Sequence, residues 1–228
     1  MDKAKNQDRR SFLLTTIISG ASIPLIGLPA FAAEEKKDEG EVTPNEDLMR
    51  EHGLLRRVIL VYEENIKKMP KKEHQLQIIK KSAETIRSFI ENYHEKLEEE
   101  FLFPALQKAK REVELVDTLK NQHEVGRKLT ARIIELSGKG PSSLSQLQES
   151  MQLFIHMYNA HAAREDTILF PAFKEVIGEK RYKELGDQFE EREHKMFGKE
   201  GFEGVLAQVA ELEKQMGIYD LKSYTPKI

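Results

Sequence analysis

The strongest constraint on this chain is an internal repeat. His94-Glu95-Lys96-Leu97-Glu98-Glu99-Glu100-Phe101-Leu102-Phe103-Pro104-Ala105 and His161-Ala162-Ala163-Arg164-Glu165-Asp166-Thr167-Ile168-Leu169-Phe170-Pro171-Ala172 share one ungapped pattern, H-x3-E-[ED]-x2-L-F-P-A. The repeat extends upstream, where His52 to Val58 and His123 to Leu129 both read H-x3-R-[RK]-[VL]. The chain therefore holds two copies of a helix pair, each supplying one His and then a His plus a Glu. A His and a Glu four residues apart lie about 40° apart around a helix and reach the same point. Four such helices converge four imidazoles and two carboxylates, the donor set of a binuclear metal site.

The hydrophobic periodicity agrees with this duplication. A first helix runs from Asn45 or Glu46 to about Lys68, with Leu48, His52, Leu55, Ile59 and Tyr62 on adjoining faces, and stops at Met69-Pro70. A second begins near Lys72 and carries Leu76, Ile79, Ala83, Ile86, Ile90, His94 and Leu97, with Pro104 expected to kink or restart it. A third covers about Val113 to Leu136 and ends at Gly138-Lys139-Gly140-Pro141. The fourth, expected to be capped by Ser143, carries Leu147, Met151, Phe154, Met157, His161 and Glu165. Two shorter helices follow, about Glu179–Phe197 and Phe202–Met216. With no alternating apolar and polar stretch, the expected fold is all-α: an up-down four-helix bundle over residues 46–177 with additional C-terminal helices over 178–228.

The 228 residues suffice for a real core, and 33% charged with 39% hydrophobic residues suits long amphipathic helices. The chain has no Cys, which excludes thiolate metal sites, iron–sulfur ligation by this chain and disulfides. A metal must be held by His and carboxylate, a set that favours Fe, Mn or Zn over Cu(I).

Residues 1–32 read as an export signal. Arg9-Arg10 precedes Phe12-Leu13, an uncharged stretch interrupted by Gly20, Pro24, Gly27 and Pro29, and Ala30-Phe31-Ala32 as an A-x-A cleavage site. The pattern resembles a twin-arginine signal, with Asp8 where Ser or Thr is usual, and implies periplasmic export of a folded, cofactor-loaded protein. An ordinary secretory signal or an uncleaved anchor are the competing readings, and the Pro-broken stretch disfavours a permanent span. Residues 33–45 form a charged linker. Cleavage after Ala32 leaves 32 Lys/Arg against 37 Asp/Glu, a net charge of −5, which argues against nucleic acid or an anionic membrane as partner.

The motifs resemble the hemerythrin family, in its branch with the HHE cation-binding repeat, over about residues 46–176. The resemblance implies that His52, His94, His123 and His161 are terminal ligands of two Fe ions and that Glu98 and Glu165 bridge them, with an oxo or hydroxo group as third bridge. It implies a small gaseous ligand, O2 or NO, or peroxide, and a separate electron donor. The oxygen carriers of the family have a further His where this chain has Arg127, and H-x4-D where it has H-x3-E. Two His per metal shift the expectation from reversible carriage toward redox chemistry. The chain also resembles the iron–sulfur repair branch, whose Cys-bearing N-terminal region it lacks.

Competing readings attach to other residues. Glu91-Asn92-Tyr93-His94 and Glu191-Arg192-Glu193-His194 fit the Glu-x-x-His of ferritin-like ferroxidases, but leave His52, His123, His161 and the L-F-P repeat without a role. A non-catalytic O2 or NO sensor and a redox-inert Zn site are further alternatives. His156 lies about 140° around the helix from His161 and is expected to point away from the site. His74 and His194 are expected on solvated faces. Arg56 and Arg127, one turn after their His, are candidate partners of the bridging carboxylates, with a solvent-facing role as the other reading. Tyr158, about 60° from His161, is a candidate pocket wall or a core aromatic.

Overall fold

The structure, a computed structural model, describes residues 42–228; the export-signal reading and linker residues 33–41 lie outside them. Six helices make up the described chain: α1 (Pro44–Lys68), α2 (76–109), α3 (Val113–Ser137), α4 (144–177), α5 (Glu179–Phe197) and α6 (Gly201–Met216). No strand occurs among the described residues, and none of their helices is long and apolar enough to cross a membrane. The fold is the expected all-α bundle of α1 to α4, with α5 and α6 added at the C-terminal end.

Helix α1 starts at a capping box, in which the Thr43 hydroxyl accepts from the Glu46 amide and Glu46 accepts from the Thr43 amide. It ends at Lys68, as its periodicity predicts. Helix α2 begins at Leu76 rather than near Lys72, because Met69–Lys71 form a short 3-10 turn and Lys72 adopts a left-handed φ of 60°. The buried Asn65 side chain then receives the Gln75 amide at 2.8 Å, so α1 supplies the cap that α2 lacks locally.

Pro104 and Pro171 do not break their helices. Each follows a wide π-type turn, Glu98–Leu102 in α2 and Glu165–Leu169 in α4, and the helix continues to Ala109 and Ile177. The carbonyl of Glu98 accepts from the Phe103 amide and that of Glu165 from the Phe170 amide, so the ladder shifts by one residue just before the proline that has no donor. Ser143, expected from the sequence to cap α4, makes no side-chain cap bond; its hydroxyl donates instead to the Leu136 carbonyl at 2.9 Å and ties the α3–α4 turn back onto α3.

One core runs through the bundle and into the additions, including Leu48, Tyr62, Phe89, Phe154 and Phe189, all fully buried. A smaller cluster of Val61, Ile78, Leu212 and Met216 seats α6 on α1 and α2. The additions are also pinned by polar contacts: Tyr93 donates to the Phe189 carbonyl at 3.2 Å, Arg192 pairs with Glu100, and Arg57 with Glu213.

Candidate metal centre

The wide turns decide where the carboxylates go. Glu98 and Glu165 each open a π-type turn, and each lies one helical turn beyond its histidine, so both point inward at the same level of the bundle. The structure brings all six predicted donors together. His52, His94, Glu98 and Glu165 form one set and Glu98, His123, His161 and Glu165 another; within each set the donor atoms lie within 4.8 Å of one another, and all six residues are buried. Both glutamates belong to both sets, as two shared carboxylates must.

All four imidazoles present Nε2 to the carboxylates, at 3.4 Å for His52–Glu165, 3.6 Å for His94–Glu98, 3.4 Å for His123–Glu98 and 2.9 Å for His161–Glu165. The Nε2 atoms of His52 and His94 approach to 3.0 Å. Yet all four oxygens of Glu98 and Glu165, and Nε2 of His123, are buried without an aligned hydrogen-bond partner. Buried polar atoms are almost always satisfied, so this concentration of unpartnered oxygen and nitrogen lone pairs fits a cation between them. An all-N/O set of imidazole and carboxylate suits Fe, Mn or Zn.

The four Nδ1 atoms are engaged on the outside of the ring of donors. His52 donates to Asp166 at 2.6 Å, His94 to Glu51 at 2.6 Å, His123 to Glu99 at 3.1 Å and His161 to Gln122 at 2.9 Å. That network assigns the proton to Nδ1 and leaves the Nε2 lone pair for a metal. The second acid of the E-[ED] pair thus has a use that the sequence reading did not assign: it orients the histidine of the opposite hairpin. Arg56 and Arg127 hold these acids, pairing with Asp166 and Glu99, rather than Glu98 and Glu165. Arg127 also donates to Glu95 at 2.7 Å. The L-F-P repeat gains a role as well, because Phe170 stacks on His52 at 5.4 Å and Phe103 on His123 at 5.5 Å, closing the site with apolar walls.

The remaining residues sort clearly. Tyr158 is buried 5.3 Å from the His161 ring and donates to Glu95 at 2.7 Å, so it serves both as core aromatic and as wall. His156 and His194 are exposed, while His74, expected on a solvated face, is half-buried. Glu91 is buried outside both donor sets and Glu191 is exposed, so neither Glu-x-x-His motif adds its glutamate to the site.

Proton affinities show how crowded the centre is. Burial opposes charge on His52, but the Asp166 and Glu165 carboxylates outweigh it and raise the imidazole to about 9. His123 is raised to about 10 against the same burial by Glu98 and Glu99. Burial and the neighbouring charge of His52 push His94 well below its usual range. Burial and the Glu165 carboxylate raise Glu98, whereas Glu165 is held low, despite its burial, by His161 and His52. Two carboxylates this close do not both ionise without cations between them.

A profile of the Hemerythrin HHE cation binding domain matches residues 43–173. The chain is similar to uncharacterized proteins of Mycobacterium tuberculosis and Mycobacterium bovis, each 38% identical over 195 residues that span 83% of this chain and 76% of theirs. No solved structure matches it.

Proposed function

This chain belongs to the hemerythrin HHE cation-binding family, and we propose that it is an exported non-haem di-iron protein that binds and reduces a small diatomic or peroxide ligand, O2, NO or H2O2. The observation that carries the proposal is the pair of buried four-donor sets sharing Glu98 and Glu165, whose inward oxygens have no hydrogen-bond partner. His52 and His94 would hold one ion and His123 and His161 the other, with both glutamates between them. When bound, the metal pair supplies redox electrons and Lewis acidity at coordination positions that the protein leaves unfilled.

The chain's own residues do the rest. Nδ1–H bonds to Asp166, Glu51, Glu99 and Gln122 fix four tautomers and ring angles. Phe103 and Phe170 keep water from the histidine faces. Arg127 stands one helical turn beyond His123, where the carriers place a third histidine, but it is tied to Glu95 and Glu99 instead. Each ion would therefore be held by two imidazoles, His52 and His94 or His123 and His161, a set that favours ligand turnover over protected storage.

Metal analysis of the native protein, followed by anaerobic titration of the reduced form with NO and with O2, tests this reading. Two iron ions per chain and stoichiometric NO binding are expected. Tightly held zinc with no response to either gas would overturn it. Export belongs to the same proposal and rests on Arg9-Arg10 and Ala30-Phe31-Ala32.

A further inference from the structure

The first histidines of the two halves are oriented alike under the repeat, while Glu95, neutralised by Arg127 and bonded by Tyr158, has Ala162 as its counterpart and belongs to one half alone. His52 and His123 each donate to an acid held by an arginine, Asp166 with Arg56 and Glu99 with Arg127. His94 and His161 are each oriented by the residue preceding the other histidine of the same hairpin, and here the match fails. His94 donates at 2.6 Å to Glu51, a carboxylate; His161 donates at 2.9 Å to Gln122, a neutral amide. An anionic acceptor draws the Nδ1 proton outward and leaves more electron density on Nε2, which strengthens its bond to a cation. An amide acceptor fixes the ring without that gain.

Glu51 sits in a buried cluster of acids that is held in part by the C-terminal addition. Buried Asp47 and Glu193 bring carboxylate oxygens within 4.8 Å of it. Glu193 comes from α5 and is locked there: the Phe202 amide donates to its Oε1 at 3.0 Å, and a Cβ on Gly201 would lie 2.2 Å from the same oxygen. The C-terminal addition therefore delivers a carboxylate to the outer side of one histidine ligand.

We propose that the two metal positions are unequal, that the His52/His94 position binds its divalent cation more tightly and fills first, and that Glu51 is the positioning residue that sets the difference. This inference rests on the two-ion reading above. The test is anaerobic titration of the full metal-free chain with Fe(II) alone, in competition with a chelator, for wild type, Glu51→Gln and Gln122→Glu. Wild type should load in two resolved steps. Glu51→Gln should weaken the tighter step by about 10- to 100-fold, the scale of partners that orient metal ligands, and bring the steps together. Gln122→Glu should strengthen the weaker step and merge them from the other side. Adding one equivalent of Fe-57 supplies a second readout: a single Mössbauer doublet in wild type, and a mixture of two in either variant.

Thermal melts of the metal-free chains identify a folding loss, in which case Gln122→Glu decides alone. Equal steps in wild type, or equal weakening of both steps by Glu51→Gln in a folded chain, would overturn the inequality while leaving two ions in place. Fewer than two ions per wild-type chain would overturn the two-ion reading together with it.

Discussion

A Cβ on Gly126 would lie 2.1 Å from the hydroxyl oxygen of Tyr158, so α3 carries no side chain at the point where the α4 phenol crosses it. That close approach seats Tyr158 between Phe154 and His161 and lets it reach Glu95. Gly126→Ala gains helix propensity but forces the ring aside; a net loss of about 1–3 kcal/mol is expected in urea unfolding. Adding Tyr158→Phe should recover only part of it, because a ring carbon at 2.8 Å still obstructs the methyl group. Unchanged stability of Gly126→Ala would show that the helices can separate freely here.

Glu98→Ala and Glu165→Ala should each lose most metal from both positions, since each carboxylate belongs to both donor sets. Metal content by mass spectrometry of the folded variants checks this. Loss of one ion with full retention of the other would mean that the glutamates are not shared.

The pH response has a definite sign. His52 and His123 are raised to about 9 and about 10 in the folded chain, against about 6.5 when unfolded. Their contribution to the stability of the metal-free chain is therefore complete below about 6.5 and is lost as pH rises through their folded values. Metal needs these imidazoles neutral, so iron affinity should rise with pH over the same window. Loading at pH 7 should release roughly two to three protons, from His52, His123 and the raised Glu98. Proton release in weak buffer measures it; loading without release would contradict this account.

Reduced protein exposed to O2 should be oxidised and should not return to the reduced state on deoxygenation. Arg127, engaged with Glu95 and Glu99, adds no third imidazole to either position. Stopped-flow absorbance over cycles of oxygenation and argon purging distinguishes the outcomes, with full regeneration after purging counting against this reading of Arg127.

Replacing Arg9 and Arg10 by Lys should leave an unprocessed precursor in the cytoplasm, and the mature protein should begin at Ala33 or Glu34. Normal processing of the double variant would point to the general secretory route.

Much of this was legible in the sequence because the repeat is gapless: identical spacing forces identical geometry, and six positions followed from letters alone. The register of α2 was not legible, because its start depends on Asn65 reaching across from α1. The continuity at Pro104 and Pro171 was hidden too, since a wide turn leaves no mark that separates it from a kink. Asp166 and Glu99 stood inside the repeat, but their use depends on which hairpin faces which. Glu51 and Gln122 stood just outside it, where a single amide-for-acid difference passes as ordinary variation.

The stacking of Phe170 on His52 and of Phe103 on His123 crosses from one hairpin to the other, as do the bonds from those histidines to Asp166 and Glu99. Neither hairpin walls or orients its own first histidine, and neither owns a complete set of donors. A lone hairpin is thus half of a lock, completed only by a facing copy. Within one chain, a metal bound there would sense the docking of two halves and hold the clasp between them shut.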